Sequence, residues 1–313
     1  MRILLAVDRS SVSKASAQFL RALIFPPGSE LYILHVLSLD QIDESVLGDS
    51  LSVPEQIDVV RGRLTVAGEQ LLTQTAELFR DFPIALHTEL REGIPGAEIL
   101  AAIDQKHIDL AVLGARGHSK IEEFLMGSVS EWVLHDAPCS VMLVRPRARP
   151  KKPKSGFRLL LATDGSRDAW NAVEFLQQLD FPAPCTLAVL HVVKKMVHQT
   201  SQVITAPPHL PPQELATMAE ELFGPRGRKG AELLDSTCRA FAERNFGFEK
   251  ILAFGHEAEE ILKAARRLRP DLIVMGSRGL TGLRRWLLGS VSDRVARHAS
   301  CSVVIVRRRS WNP

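Results

Sequence analysis

The chain contains one long stretch twice, and this repeat limits the folds open to it more than any other feature. The first copy reads Asp-Leu-Ala-Val-Leu-Gly-Ala-Arg-Gly over 109–117 and, nine residues later, Gly-Ser-Val-Ser over 127–130. The second reads Asp-Leu-Ile-Val-Met-Gly-Ser-Arg-Gly over 271–279 and, again nine residues later, Gly-Ser-Val-Ser over 289–292. A buried strand, a glycine turn and a new helix N-terminus form a phosphate-binding arrangement. Identical spacing in both copies predicts two such arrangements.

The rest of the chain repeats as well, which is the first thing to establish before a fold is predicted. Residues 2–10 match 158–166, residues 31–36 match 187–192, and residues 139–145 match 301–307. The early matches are 156 positions apart and the late ones 162, so the second repeat has about six extra residues between its second and fourth strands. A length of 313 residues suits two domains of ordinary size.

The apolar runs are continuous rather than alternating, as expected of strands covered on both faces. Helical patterns separate them, including a long one over about residues 54–79. A third strand is predicted near 82–88, and the four prolines of 194–212 predict a loop near the mouth of the second site. The order β-α-β-α-β-α-β-α-β predicts a parallel, doubly wound sheet with right-handed crossovers in each repeat.

Ligands of such sheets bind beyond the carboxyl ends of the strands, where the strand order reverses. Strand 1 ends at Asp8 or Asp164, and strand 4 ends at Gly114 or Gly276. Two motifs roughly a hundred residues apart are therefore predicted to converge on one crevice in each repeat.

The Gly-x-x-Gly turn, the nine residues and the Gly-Ser pair resemble the nucleotide-binding signature of the universal stress protein family. The resemblance covers nearly the whole chain as two tandem domains, and omits a linker and one insertion. It implies two Rossmann-like domains of the adenine nucleotide alpha hydrolase type, each with a five-stranded parallel sheet of order 3-2-1-4-5. It also implies that the last strands of the two domains pair antiparallel. We place the domains at 1–146 and 157–309, with a basic, proline-rich linker over 147–156.

Glycines without side chains let backbone amides approach a phosphate, and Gly-Ser opens a helix whose first amides are free. The alternative is a tight turn and a capped helix that bind nothing. The predicted phosphate-binding residues are Gly114, Gly117, Gly127, Ser128, Val129 and Ser130 in the first repeat, and Gly276, Gly279, Gly289, Ser290, Val291 and Ser292 in the second.

Asp8 and Asp164 have two interpretations. Each forms a helix cap or an Asx turn, or, as the resemblance implies, faces the nucleoside end of bound ATP. The resemblance also implies that Val36 and Val192, at the ends of the second strands, offer backbone groups to adenine.

Arg116 and Arg278 lie between the two glycines of each turn. They are either cations that neutralise phosphate charge or exposed arginines of a turn. His35 and His191 recur inside the second strand, and we interpret them as partly buried histidines with satisfied hydrogen bonds.

The two repeats also differ at their candidate sites. Arg9 stands where the second repeat has Gly165, and would either crowd the first site or add a charge contact. Glu122 and Glu123 correspond to Arg284 and Arg285. We hypothesise that these oppositely charged loops face each other across an internal two-fold axis; the alternative is unrelated surface charge.

Composition excludes several function classes. The formal charge is only +3, and much of the basic excess falls in 145–154 and 307–309, without the interleaved aromatics of a nucleic-acid module. No apolar run approaches the ~20 residues of a membrane helix, so we expect a cytoplasmic protein. The four cysteines form no Cys-x-x-Cys pair, and Cys139 and Cys301 enter buried strands as core residues.

The sequence shows no nucleophile elbow, no Gly-Lys-Ser/Thr loop and no paired-carboxylate metal site, so we assign no catalytic and no metal-ligating residue. The preferred function is a binding protein that holds ATP or a related adenine nucleotide, with a cation such as Mg²⁺ on the phosphates, and regulates a partner or its own assembly. The resemblance implies a role in stress response. The alternatives are slow ATP hydrolysis or self-phosphorylation, with Ser128 and Ser290 as first acceptors, and a scaffold. The terminal strands favour pairing of the two domains; the sequence leaves open whether two chains form a homodimer.

Overall fold

The computed structural model describes the chain as one sheet with helices on both faces. It describes residues 1–38, 54–116, 126–146, 156–194, 202–206, 210–280 and 288–308. The sheet has eleven strands in the order β3-β2-β1-β4-β5-β11-β10-β6-β7-β9-β8. No helix among these residues is long and apolar enough to span a bilayer.

The first repeat follows the predicted alternation of strands and helices. Its sheet order is 3-2-1-4-5, as the resemblance implied, and all four neighbouring pairs are parallel. The third strand lies a few residues later than predicted. Its elements are β1 (Arg2–Val7), α1 (Ser11–Arg21), β2 (Glu30–Leu37), α2 (Pro54–Glu77), β3 (Ala85–Glu92), α3 (Pro95–Gln105), β4 (Leu110–Gly114), α4 (Ser128–Asp136) and β5 (Ser140–Val144).

The second repeat has the same elements and one more strand. Its elements are β6 (Phe157–Ala162), α5 (Arg167–Gln177), β7 (Cys185–Lys194), β8 (Gln202–Ala206), α6 (Pro212–Arg239), β9 (Phe246–Gly255), α7 (Glu257–Leu268), β10 (Leu272–Gly276), α8 (Ser290–His298) and β11 (Ser302–Val306).

Strand β8 corrects two predictions. The segment 194–212 was expected to be a loop, and the second sheet was expected to have five parallel strands. Instead, β8 pairs antiparallel with β9 and forms a sixth, outer strand. Its sequence Gln-Val-Ile-Thr-Ala is rich in β-branched residues, which fit a pleated edge, and the ten-residue β9 is long enough to pair with it.

The core consists of two layers, one on each face of the sheet. Alternate residues of the central strands point to opposite faces. Leu5 and Leu161 belong to the layer formed with α1, α2, α5 and α6, whereas Leu4 and Leu160 belong to the layer formed with α3, α4, α7 and α8. Cys139 and Cys301 are buried, as predicted for core residues, and burial raises the pKa of Cys139 to about 12.

The two repeats are joined through their last strands. Strands β5 and β11 pair antiparallel, with Met142 opposite Val304. Equivalent arginines cross this seam. The guanidinium of Arg145 donates to the Ala296 carbonyl at 2.5 Å, and that of Arg307 donates to the Leu134 carbonyl at 2.6 Å. Each arginine thus meets free carbonyls in the last turn of the opposite helix, where a cation is favourable.

Charge pairs also connect α4 and α8 across the seam. Arg297 donates to Glu131 Oε1 at 2.7 Å, and His135 Nε2 lies 3.2 Å from Asp293 Oδ1. The hydrogen bonds that Arg297 donates to Glu131 and Asp293 raise the pKa of Arg297 above its ordinary value. The loop charges expected to pair, at 122, 123, 284 and 285, lie outside the described residues.

Candidate functional site

The second repeat has a cavity of about 960 Å³ beyond the carboxyl ends of β6, β7 and β10. This is the place predicted from the strand order. The nine residues singled out in this repeat from the sequence all line it: Asp164, Val192, Gly276, Arg278, Gly279, Gly289, Ser290, Val291 and Ser292.

Asp164 closes the turn between β6 and α5. Its Oδ1 accepts from the Ser166 amide at 2.9 Å, an Asx turn, and its Oδ2 accepts from the Leu280 amide at 3.0 Å. Ser166 in turn caps α5 by accepting from the Ala169 amide at 3.2 Å. The carboxylate therefore ties the glycine turn after β10 to the start of α5, and it still lines the cavity.

The N-terminus of α8 forms another wall. Gly289 is the N-cap, without a side-chain hydrogen bond to the first amides. The amides of Ser290, Val291 and Ser292 have no intrahelical partner, because the first turn of a helix lacks preceding carbonyls. The Ser292 hydroxyl donates to the Gly276 carbonyl at 2.8 Å and so fixes this helix end against β10.

The glycines leave little room for side chains. An added Cβ on Gly279 would lie 2.6 Å from Asp164 Oδ2, and one on Gly289 would lie 3.0 Å from the Ser277 carbonyl oxygen. Their absence leaves a backbone-lined cradle next to a helix N-terminus. Such a cradle fits a phosphate group.

The Arg278 side chain lines the cavity and also forms an ion pair with Asp168. Its Nε donates to Asp168 Oδ2 at 3.1 Å, and the Ser277 hydroxyl donates to the same oxygen at 2.8 Å. Part of the charge expected to meet phosphate is therefore balanced by a carboxylate of α5. A role of Arg278 in phosphate binding stays a prediction.

His191 also lines the cavity. Its Nδ1 lies 2.8 Å from the Thr163 carbonyl oxygen and must donate to it, so the neutral ring carries its proton there. His35 makes the same bond to the Val7 carbonyl at 2.8 Å. The interpretation of both as histidines with satisfied hydrogen bonds is confirmed.

We expect His191 to titrate below its ordinary pKa of 6.5 in the ligand-free protein, because burial lowers the pKa more than the hydrogen bond to Thr163 and the charge of Asp164 raise it. The unfolded chain then binds the proton more readily, so the free energy of unfolding falls as the pH drops below 6.5. An NMR titration of the imidazole, assigned with His191→Gln, measures this. A pKa at or above 6.5 would contradict it.

The first repeat brings its predicted residues to the corresponding edge. Strands β1 and β4 are paired; Asp8 directly follows β1, and Gly114 is the last residue of β4. Val36 is the penultimate residue of β2. Asp8 Oδ1 accepts from the amide and the hydroxyl of Ser10, so it also forms an Asx turn.

The helix of the Gly-Ser motif starts in the first repeat as it does in the second. Gly127 caps α4, and Ser128, Val129 and Ser130 form its first turn. The Ser130 hydroxyl donates to the Gly114 carbonyl at 2.7 Å. Arg116 follows β4, and Gly117 lies outside the described residues.

Arg9 and Gly165 differ in backbone geometry as well as in side chain. Gly165 has a φ of +77°, which favours glycine, whereas Arg9 is outside this region and its side chain is exposed. The turns after β1 and β6 are therefore not superimposable in detail.

Sequence reasoning missed three cations of the cavity wall: Lys194 at the end of β7, and Arg226 and Lys229 on α6. The sequence signal that could have revealed the two cations of α6 is their helical spacing. Arg226, Lys229, Gly230 and Leu233 stand at i, i+3, i+4 and i+7, which places them on one helix face, and all four line the cavity.

The comparisons with known proteins agree with this geometry. The model of the universal stress protein family matches the chain twice, over residues 1–145 and 157–307. The chain belongs to the universal stress protein family. Among members of that family, the universal stress protein YxiE of Bacillus subtilis is 33% identical over 153 residues, 48% of this chain and 98% of YxiE.

Tandem relatives extend further along the chain. Universal stress protein Rv2623 of Mycobacterium tuberculosis is 26% identical over 266 residues, which is 82% of each chain. A universal stress protein structure from Archaeoglobus fulgidus matches with a TM-score of 0.58 and 22% identity over 98% of both chains. The latter likeness shows the fold.

Proposed function

We propose that the protein binds ATP or a related adenine nucleotide in each repeat and acts as a nucleotide-dependent regulator or sensor in stress response. The observation that carries the proposal is the convergence of nine residues, chosen from the sequence alone, on one cavity. Family membership supports the role in stress response.

Each group in the cavity has a part in this proposal. The free amides of α8 and the glycine cradle receive phosphates, because they present hydrogen-bond donors and the positive end of a helix dipole. Asp164 faces the nucleoside, and the backbone at Val192 meets adenine. We assign Mg²⁺ to the phosphates of the nucleotide, because phosphate oxygens are ligands that this cation prefers.

The organisation that we propose for the whole protein is a pair of domains, 1–146 and 157–309, held together as an internal dimer. The antiparallel pairing of β5 with β11 and the charge pairs between α4 and α8 support it. We place the protein in the cytoplasm. Whether two chains form a homodimer can be measured by light scattering.

The first experiment is to denature the purified protein and to identify and count the released nucleotides by chromatography and mass spectrometry. Two adenine nucleotides per chain would support binding in both repeats. One nucleotide per chain would support binding in only one of them. None, together with no rise in melting temperature on adding ATP and Mg²⁺, would overturn the proposal, since a ligand selective for the folded state must stabilise it.

Replacing Ser290 with aspartate is expected to remove nucleotide from the second site without unfolding the protein. Ser290 is the exposed first residue of α8. A carboxylate there stabilises the helix by about 0.3–1 kcal/mol through its dipole but repels a phosphate. The stabilisation by ATP should fall to that of the first site alone.

Ser290→Ala is the control, because it removes the hydroxyl and adds no charge, and we expect it to keep most of the binding. Ser128→Asp is the matched variant for the first repeat. Undiminished nucleotide content in Ser290→Asp would show that the phosphates do not lie at α8.

A further inference from the structure

Helix α6 gives the second site a cationic wall. The helix is interrupted at Gly224, which has φ +66° and ψ −161°, and Pro225 then starts a new, continuous segment. Arg226 and Lys229 lie in its first turns, and both line the cavity. Neither forms a salt bridge with another described residue, whereas their neighbour Arg228 pairs with Glu220 at 2.6 Å and Glu232 at 3.3 Å.

The charge around the cavity is therefore unbalanced. Among the residues that the structure describes, the charged lining consists of Lys194, Arg226, Lys229 and Arg278 against Asp164 and Glu257. Arg278 is paired with Asp168, and Asp164 accepts two backbone amides. Arg226 and Lys229, on the wall formed by α6, are cations available to a ligand in addition to the helix end of α8 and the glycine cradle.

In the described part of the first repeat, helix α2 has no cations at the equivalent positions. The packing of one glycine in each helix shows which positions are equivalent. A Cβ on Gly68 of α2 would meet Leu90 Cδ1 at 2.8 Å and His35 Cδ2 at 3.0 Å. A Cβ on Gly230 of α6 would meet Leu252 Cδ1 at 2.7 Å and His191 Cδ2 at 2.9 Å. Gly68 and Gly230 thus occupy the same place in the two repeats.

The helix register follows from these glycines. Counting back from them, Leu64 stands where the second repeat has Arg226, and Ala67 stands where it has Lys229. The first repeat therefore has two apolar residues on the helix face where the second repeat has two cations.

We propose that Arg226 and Lys229 make the second site selective for ligands with a chain of two or more phosphates over monophosphates, and that the first site lacks this selectivity. The inference rests on the proposed function, because it assumes that an anionic nucleotide enters the cavity. A single phosphate is satisfied by the amides of α8. Further phosphates need counter-charge, which arginine and lysine supply through charge-assisted hydrogen bonds.

The test is the double variant Arg226→Leu/Lys229→Ala, which installs the residues of the first repeat. It is made in a Ser128→Asp background, so that calorimetry reports the second site. The titrants are ATP, AMP and inorganic tripolyphosphate. We expect the affinity for ATP to fall roughly tenfold per lost contact and that for AMP to change less than about threefold.

Arg228→Val is the matched control. It removes one positive charge from the same helix and installs the residue that the first repeat has, Val66, but Arg228 lies outside the cavity lining. The Arg228→Val variant should bind ATP with the same affinity as the parent protein. Circular dichroism checks that the variants fold, and the salt dependence of ATP binding should be steeper in the parent than in the double variant.

The outcomes separate this inference from the proposed function. Equal losses for ATP and AMP, or no loss for either, would overturn the selectivity and leave nucleotide binding intact. If the protein binds tripolyphosphate but no nucleotide, and the double variant loses this binding, the proposed nucleotide binding is contradicted. The role of Arg226 and Lys229 in binding a chain of phosphates is then supported. Binding of none of the three would overturn both.

Discussion

Replacing Gly276 with alanine is expected to lower the free energy of unfolding by about 3 kcal/mol, the upper part of the range for inserting a methyl group into a packed core. The added Cβ would lie 2.5 Å from the Asp168 carbonyl carbon and 2.8 Å from the Ala169 amide nitrogen. These are backbone atoms at the start of α5, and they cannot move unless the helix moves. Urea denaturation measures the loss.

The first repeat supplies a matched control for this substitution. A Cβ on Gly114 would meet a Val12 side-chain carbon at 2.9 Å and the Arg116 carbonyl oxygen at 3.1 Å. Because a valine rotates more easily than a helix shifts, Gly114→Ala should destabilise by about 1 kcal/mol. Gly62→Ala, which has nothing within 4 Å and lies in α2, should stabilise by about 0.5–1 kcal/mol. Equal effects of Gly276→Ala and Gly114→Ala would contradict the asymmetry.

Replacing Asp235 with alanine is expected to lower the free energy of unfolding by about 3–5 kcal/mol, because it leaves a buried ammonium group without its partner. The Lys250 ammonium on β9 donates to Asp235 Oδ1 on α6, and both residues are less than a tenth exposed. Thermal and urea denaturation of the variant measure the effect.

The double variant Asp235→Leu/Lys250→Met separates the ion pair from simple packing. With both charges removed, most of the stability should return, since an apolar pair of similar volume is often as stable as a buried ion pair. The first repeat already has an uncharged pair, Thr73 and Thr88, at these positions. A double variant as unstable as Asp235→Ala would show that the loss comes from packing rather than from the unpaired charge.

The sequence predicted the features that depend on local patterns and on repetition. The apolar runs that became β1, β4, β6 and β10 are continuous. Strands β4 and β10 end at a glycine, and an aspartate follows β1 and β6 within two residues, at the edge of the sheet. Because the carboxyl ends of parallel strands meet at one edge, residues as distant as Asp164 and Gly289 could be assigned to one cavity.

The features that were missed depend on contacts between distant segments. Strand β8 is five residues long and becomes a strand only by pairing with β9, about forty residues later. Lys250 and Asp235 meet because α6 packs on β9, and neither has a signal in its own neighbourhood. The cations of α6 line the cavity because the helix restarts at Pro225, after an interruption whose direction cannot be predicted from Gly-Pro alone.

The antiparallel seam between β5 and β11 reverses the direction of one half of the sheet relative to the other. Strands β4 and β10 therefore point in opposite directions, and the two ligand edges lie at opposite ends of the strands. With five-residue strands at ~3.3 Å per residue, these edges are separated by about 16 Å of backbone. In the binding that we propose, each repeat therefore needs its own ligand, and a partner that senses both ligands must contact opposite ends of the strands.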